Sequence, residues 1–194
     1  LFDIEHAKAL GYRIKLIGIS QLTEHGIYQE VQPCLVPKSS AISKLEGGTN
    51  MVIIDSDFIG QTCLSGPGAG QGPTASAIVS DLVDIANGNI SHVFGVEAKF
   101  LKRIQKGTQG INRCYYLRLS LVDKPGALGK VASVLGANQI SIDRMRQKAH
   151  DGSIAPILIV THQTTSECVK KALDEIGALE VCLKPPVSLK IEEI

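Results

Sequence analysis

Residues 66–74, Gly-Pro-Gly-Ala-Gly-Gln-Gly-Pro-Thr, put four glycines into seven positions and run straight into Ala75-Ser-Ala-Ile-Val-Ser-Asp-Leu-Val-Asp-Ile-Ala86. Glycine allows backbone to approach a ligand where a Cβ would block it, and free amides at the start of a following helix favour an anion. The same string reads equally as a turn that lets backbone pass close to packed helices, and the residues alone leave both readings open. Spacing excludes two phosphate loops. The sixth position is Gln71 counted from Gly66 and Pro73 counted from Gly68, so G-x-G-x-x-G fails, and no G-x-x-x-x-G-K-[ST] occurs. Pro73 and Thr74 suit a helix start, Ile78, Leu82 and Ile85 form a stripe expected to be buried, and Gly88 ends the helix.

A second candidate is Asp123-Lys-Pro-Gly-Ala-Leu128, a turn with proline at its second position that opens a helix. As a site, it would offer glycine and unpaired amides to an amino-acid carboxylate, with Asn138 in the loop after the same helix adding a polar contact. Nucleophilic catalysis finds no support. Ser65, Ser76 and Ser80 have no nearby histidine, and Cys63 has no electropositive neighbour in sequence. Asp81 and Asp84 fall three apart on the outer face of the glycine-loop helix and read as a solvated face. The five cysteines form no C-x-x-C pair and the five histidines no i,i+4 pair, so neither a disulfide framework nor a metal site is expected.

The elements that must position these residues fall into two groups. Asp3 to Leu10 reads as the end of a helix closed by Gly11, followed by strands over Tyr12–Gln21, Ile27–Leu35 and a run from Met51 through Ile54 to Leu64, with a short helical segment at Ala41–Leu45. Residues 89–113 lose the pattern and gather Lys99, Lys102, Arg103 and Lys106, as a connecting segment would. Beyond them come a strand at Tyr115–Val122, a helix at Ala127–Gly136, strands at Ile140–Lys148 and Ile154–Thr161 flanking the hairpin signal Asp151-Gly152, a helix at Thr165–Ile176, and a short strand at Glu180–Leu183. That order is βαββαβ, an antiparallel sheet with both helices on one face. The fold class is α+β.

Composition sets the outer bounds. The 194 residues are 44% hydrophobic and 20% charged, with 20 Lys plus Arg against 19 Asp plus Glu, so intrinsic disorder is excluded and no electrostatic footprint for nucleic acid exists. No apolar run reaches the roughly 18 residues a membrane span needs, and no membrane partner is expected. The cysteine pattern suits a reducing compartment, and a cytoplasmic location is expected. The chain begins with Leu1, not Met, and is expected to be part of a longer protein.

At these motifs the sequence resembles two known families. Asp3-Ile4, Ala7-Lys-Ala-Leu-Gly-Tyr12-x-Ile14-Lys-Leu16, Leu35-Val-Pro37, Gly48-Thr-Asn50 and, most specifically, Gly66-Pro-Gly-Ala-Gly-x-x-Pro-Thr-Ala-Ser-Ala77 resemble the C-terminal part of the catalytic domain of homoserine dehydrogenase. Tyr116-Leu-Arg-Leu, Asp123-Lys-Pro-Gly, Leu135-Gly136 and Ile140-Ser-Ile142 resemble an ACT domain, a small ferredoxin-like module that binds amino acids. The resemblance implies a catalytic and dimerisation part over residues 1–88, a connecting segment over 89–113, an ACT regulatory domain over 114–186, and a tail over 187–194.

It further implies an NAD(P)-dependent oxidoreductase interconverting L-aspartate 4-semialdehyde and L-homoserine on the way to threonine, methionine and isoleucine, with threonine as the expected effector. Gly66, Gly68, Ala69, Gly70 and Thr74 would lie beside the nicotinamide cofactor in the intact enzyme. Asp123, Pro125, Gly126, Ala127, Leu128 and Asn138 would hold the effector at a junction of two ACT domains, and strands around residues 12–64 would supply a subunit interface in a dimer or tetramer. Replacing Gly126 by a bulky β-branched residue is expected to abolish effector binding, and to spare the fold if its φ is below zero. The family's Rossmann domain and catalytic lysine have no counterpart here. Lys8 and Lys15 match framework positions, no catalytic residue is assigned, no tightly bound cofactor is expected, and this chain alone is expected to be inactive. The alternative of another class is a stand-alone amino-acid-sensing module.

Overall fold

A computed structural model describes residues 2–89, 92, 94–107, 111–147 and 154–194, which divide into two compact units, Leu1–Ser43 with Gln105–Ile194, and Lys44–Ile104. The expected Asp151-Gly152 turn lies outside the described residues. In the larger unit, helix α1 (Phe2–Ala9) is followed by Gly11 at φ +88, a left-handed conformation in which glycine carries no Cβ penalty. Strands β1 (Tyr12–Thr23) and β2 (Gly26–Pro37) then pair antiparallel through a two-residue turn, with Thr23 opposite Gly26.

The second half of this unit has the anticipated βαββαβ order. Between its two halves the chain forms β3 (Thr49–Ser56), β4 (Gly60–Pro67) and helix α2 (Gln71–Ala86) of the smaller unit. The larger unit then continues with β5 (Cys114–Val122), α3 (Ala127–Ala137), β6 (Ile142–Gln147), β7 (Ile154–Thr161), α4 (Ser166–Gly177) and β8 (Cys182–Ile191). Alternation in β5 sends Tyr115, Leu117, Leu119 and Leu121 to one face, where Val131 and Leu135 of α3 and Val169, Ala172 and Ile176 of α4 complete the main core. Tyr116 takes the opposite face and packs with Ala7 of α1, Tyr12, Leu35, Leu158 and Val160.

Two expectations change here. The sheet is six-stranded, in the order β1-β2-β8-β5-β7-β6, because β2 and β8 pair in parallel at Cys34 with Lys190 and Leu35 with Ile191. The β8 edge of the βαββαβ sheet is therefore covered in part by the β1–β2 hairpin. The last strand extends well beyond Leu183 to Ile191, carrying residues 187–191 into the sheet. Pro185-Pro186 punctuates the sequence, but the ladder absorbs it: β5 and β8 shift register between Arg118 and Ser120, where the two missing donors fall.

In the smaller unit the run from Met51 to Leu64 is a hairpin and not one strand. It turns through Asp57, Phe58 and Ile59 into Gly60 at φ +75. Helix α2 starts at Gln71, earlier than Pro73, which occupies its first turn where no proline N–H is needed. None of α2 is buried: Ile78, Leu82 and Ile85 are 55%, 59% and 65% exposed. Periodicity correctly picks out the apolar face, but a lone two-stranded hairpin provides no second layer to bury it. No described helix is long and apolar enough to cross a membrane.

Candidate functional site

The glycine loop grows directly out of the β3–β4 ladder. Gly66 is still a strand residue opposite Asn50, and Pro67 is opposite Thr49. The chain then curls back, so that the Gly68 amide donates to the Gly48 carbonyl at 2.9 Å. Gly70, at φ +134 and ψ 156, caps α2, and its carbonyl accepts the first bond of the helix from Thr74 N–H at 3.1 Å. Among the described residues, the amides of Ala69, Gly70, Gln71 and Gly72 are left without a protein acceptor. Of the five residues singled out by sequence, Ala69 and Gly70 thus keep free amides, while Gly66, Gly68 and Thr74 shape the ledge that presents them. Free amides at a helix start in a Cβ-poor loop can hold an anionic or polarisable group of a ligand.

The second candidate turn sits at the N-terminus of α3. Gly126 adopts φ 85 and ψ −12, and Ala127 N–H donates to the Lys124 carbonyl at 3.2 Å, the geometry of a type II turn with Pro125 and Gly126 at its centre. The φ above zero removes the condition under which a β-branched residue at 126 would spare the backbone. Lys130 N–H makes the first intrahelical bond to Gly126 O, and among the described residues the Leu128 and Gly129 amides at the helix start meet no acceptor. Asp123, Pro125 and Gly126 are exposed, Leu128 is half-buried, and Ala127 anchors the turn in the core. The Ala127 amide, spent on Lys124, is not available to a carboxylate.

Asn138 lies at the other end of α3. It is buried, and its amide nitrogen donates to the Val134 carbonyl at 3.0 Å and to Glu175 of α4 at 2.9 Å. One amide hydrogen thus caps α3 on its own Val134 carbonyl, the other ties α3 to Glu175 of α4, and only the side-chain oxygen remains for another partner. Twelve residues of helical rise put Asn138 about 18 Å from Gly126, too far for one amino acid to touch both within a single protomer.

Three arrangements had no distinct sequence signal. Asp3 at the start of α1 accepts from Tyr116 hydroxyl at 3.0 Å and Arg118 Nε at 2.7 Å, which docks α1 on β5. Burial and the Asp3 carboxylate together push the Tyr116 hydroxyl pKa upward. At the β2–β8 joint, the Lys190 ammonium donates to Glu30 and to Tyr28 hydroxyl, and Arg113 pairs with buried Glu192 at 2.7 Å. The third is the contact of Asn50 with Gly68, where a Cβ on residue 68 would fall 2.0 Å from Asn50 Nδ2. No described group of His, Cys, Asp and Glu could hold a metal ion.

The β5–β8 unit has the βαββαβ order of a small ferredoxin-like domain with an open helix start after its first strand, and residues 115–181 match the ACT domain family. Residues 1–83 match the homoserine dehydrogenase family, so the chain joins a homoserine dehydrogenase segment to an ACT domain. Homoserine dehydrogenases of Neisseria gonorrhoeae and Pseudomonas aeruginosa are 36% and 33% identical to it, each over 99% of this chain and 46% of their own length. The crystal structure of a homoserine dehydrogenase from Thiobacillus denitrificans superposes with a TM-score of 0.89 at 34% identity, over 99% of this chain and 45% of that one. The chain thus spans about half the length of the relatives it matches.

Proposed function

We propose that this chain supplies the C-terminal, regulatory half of an NAD(P)-dependent homoserine dehydrogenase that interconverts L-aspartate 4-semialdehyde and L-homoserine. The observation carrying this reading is the succession, in one chain, of the glycine loop with its free Ala69 and Gly70 amides and the ACT unit with its open α3 start. The loop amides lie beside the nicotinamide cofactor, where backbone donors orient the ring without the bulk of side chains. Hydride acceptance and proton transfer belong to groups outside this chain, so residues 1–194 alone have no dehydrogenase activity. NADPH oxidation with aspartate semialdehyde at high protein concentration tests this; turnover at enzyme-like rates would overturn it.

The ACT unit binds a small amino acid, threonine, as a feedback effector. Leu128 and Gly129 amides at the α3 start hold the carboxylate, favoured by the helix dipole, and Gly126 gives it close access. The 18 Å that separate the ends of α3 place Gly126 and Asn138 on one ligand only where two ACT units meet, so that Asn138 is contributed by the second copy through its remaining side-chain oxygen. A dimer or tetramer follows, and the exposed apolar residues of the β1–β2 face (Leu16, Leu22, Val31) support it. Sedimentation tests the assembly, and a monodisperse monomer at micromolar concentration would contradict it.

A further inference from the structure

The glycine loop depends on a residue outside it. Asn50 is the second residue of β3, opposite Gly66 and directly before the apolar run Met51, Val52, Ile53 and Ile54. Asparagine has low strand propensity, so it is a poor choice for this position on local grounds. Its carboxamide makes no hydrogen bond to another described residue and is not buried. The whole amide lies against the Cα of Gly68: a Cβ there would fall 2.0 Å from Nδ2, 2.6 Å from Cγ and 3.0 Å from Oδ1. No other glycine of the loop meets a neighbouring segment in this way. Gly66 and Gly72 have open space where a Cβ would go, and Gly70 touches only Pro73.

We propose that Asn50 is a positioning residue for the proposed cofactor site: its carboxamide occupies the space vacated by the Gly68 side chain and sets where the loop presents the Ala69 and Gly70 amides. Two constraints, both from residues at the start of β3, then fix the loop. The Gly68 amide is tied to Gly48 O at 2.9 Å, and the Gly68 Cα rests on Asn50. Residues 48–50 and 66–68 thereby form one ledge two strands wide, and a change at either side tilts the amides that follow. The inference rests on the cofactor reading of the loop given above.

The contact makes a specific prediction about coupling. Gly68 is not in the positive-φ region, so alanine is allowed there by the backbone, and the atoms it meets are the end of a short exposed side chain that can swing away. Gly68→Ala therefore evicts Asn50 without unfolding the hairpin, and acts through the same contact as Asn50→Ala. In the full-length enzyme, each single substitution is expected to raise the KM for NADPH about tenfold with a smaller change in kcat, and the double variant Asn50→Ala/Gly68→Ala to stay near tenfold, since two changes to one contact do not multiply. Thermal melting of each variant reports whether the fold survives, and a KM effect without a melting change is the signature of positioning. A double variant impaired about a hundredfold would show two independent roles and overturn the inference, as would single variants with KM unchanged. Should the unmutated enzyme itself bind neither NADH nor NADPH, the cofactor reading falls and takes this inference with it. If it binds and the variants match it, only the inference falls.

Discussion

Gly26→Ala should be far more damaging than Gly126→Ala, although both positions have positive φ. At Gly126, φ is +85 and a Cβ would meet nothing within 4 Å, so alanine costs only backbone strain, about 1 kcal/mol. At Gly26, φ is +113 and a Cβ would fall 2.2 Å from the carbonyl oxygen of Gln105 and 3.1 Å from the amide of Gly107. Those atoms are backbone and cannot rotate aside. The segment returning at residues 105–107 is held to the β1–β2 turn by Ile27 N–H to Gln105 O at 2.9 Å and Gly107 N–H to Ile27 O at 2.8 Å, and both bonds must give way. At about 1 kcal/mol each, plus the strain, Gly26→Ala should cost about 3 kcal/mol, roughly 2 more than Gly126→Ala. Urea melts of the two variants measure the difference, and amide hydrogen exchange locates it: Ile27 and Gly107 lose protection in Gly26→Ala and keep it in Gly126→Ala. Equal costs, or full protection of those two amides in Gly26→Ala, would refute the clamp.

The remaining predictions concern buried polar and thiol groups. Lys190→Met strands the Glu30 carboxylate at the β2–β8 joint and should cost about 2–4 kcal/mol, most of it recovered by adding Glu30→Leu, because a paired hydrophobic replacement leaves no buried charge; equal melting of the single and double variants would contradict this. Burial, with the Glu192 and Glu30 charges adding to it, pushes the Cys34 thiol up to about 11, so near pH 8 only about one molecule in a thousand carries its thiolate. A disulfide reagent at that pH should therefore modify exposed Cys63 in the native protein and reach Cys34 only on unfolding, and rapid native labelling of Cys34 would count against the packing described.

Local rules carried much of this fold into the sequence. The period-two pattern of β5, the Lys124-Pro-Gly turn and Gly11 after α1 are each decided within a few residues by sterics, and the structure forms them where those rules put them. The parallel joint of β2 to β8 was not legible, because it links Cys34 to Lys190 across most of the chain and no local pattern signals a parallel neighbour. The same holds for Asp3 on Tyr116 and Arg118, and for Gly26 against Gln105, contacts between residues far apart in sequence. Helix α2 illustrates a different limit. Its apolar stripe was legible, but a stripe states that something covers it and not that this chain does. In the candidate sites, residue types and turn chemistry are readable, whereas the loss of the Ala127 amide to Lys124 and of both Asn138 amide hydrogens to Val134 and Glu175 is decided by the folded backbone and by a neighbour 37 residues away.

An ACT unit that serves as an effector site, and not merely as a structural appendage, takes up a free amino acid. Titration calorimetry of the chain with threonine, beside serine, methionine and isoleucine, tests it most directly. Threonine is expected to bind saturably at submillimolar concentration and the other three more weakly, and Gly126→Ala, which costs only about 1 kcal/mol of backbone strain, to weaken binding with the sheet still folded by hydrogen exchange. A folded protein that takes up none of the four amino acids at millimolar concentration would contradict it.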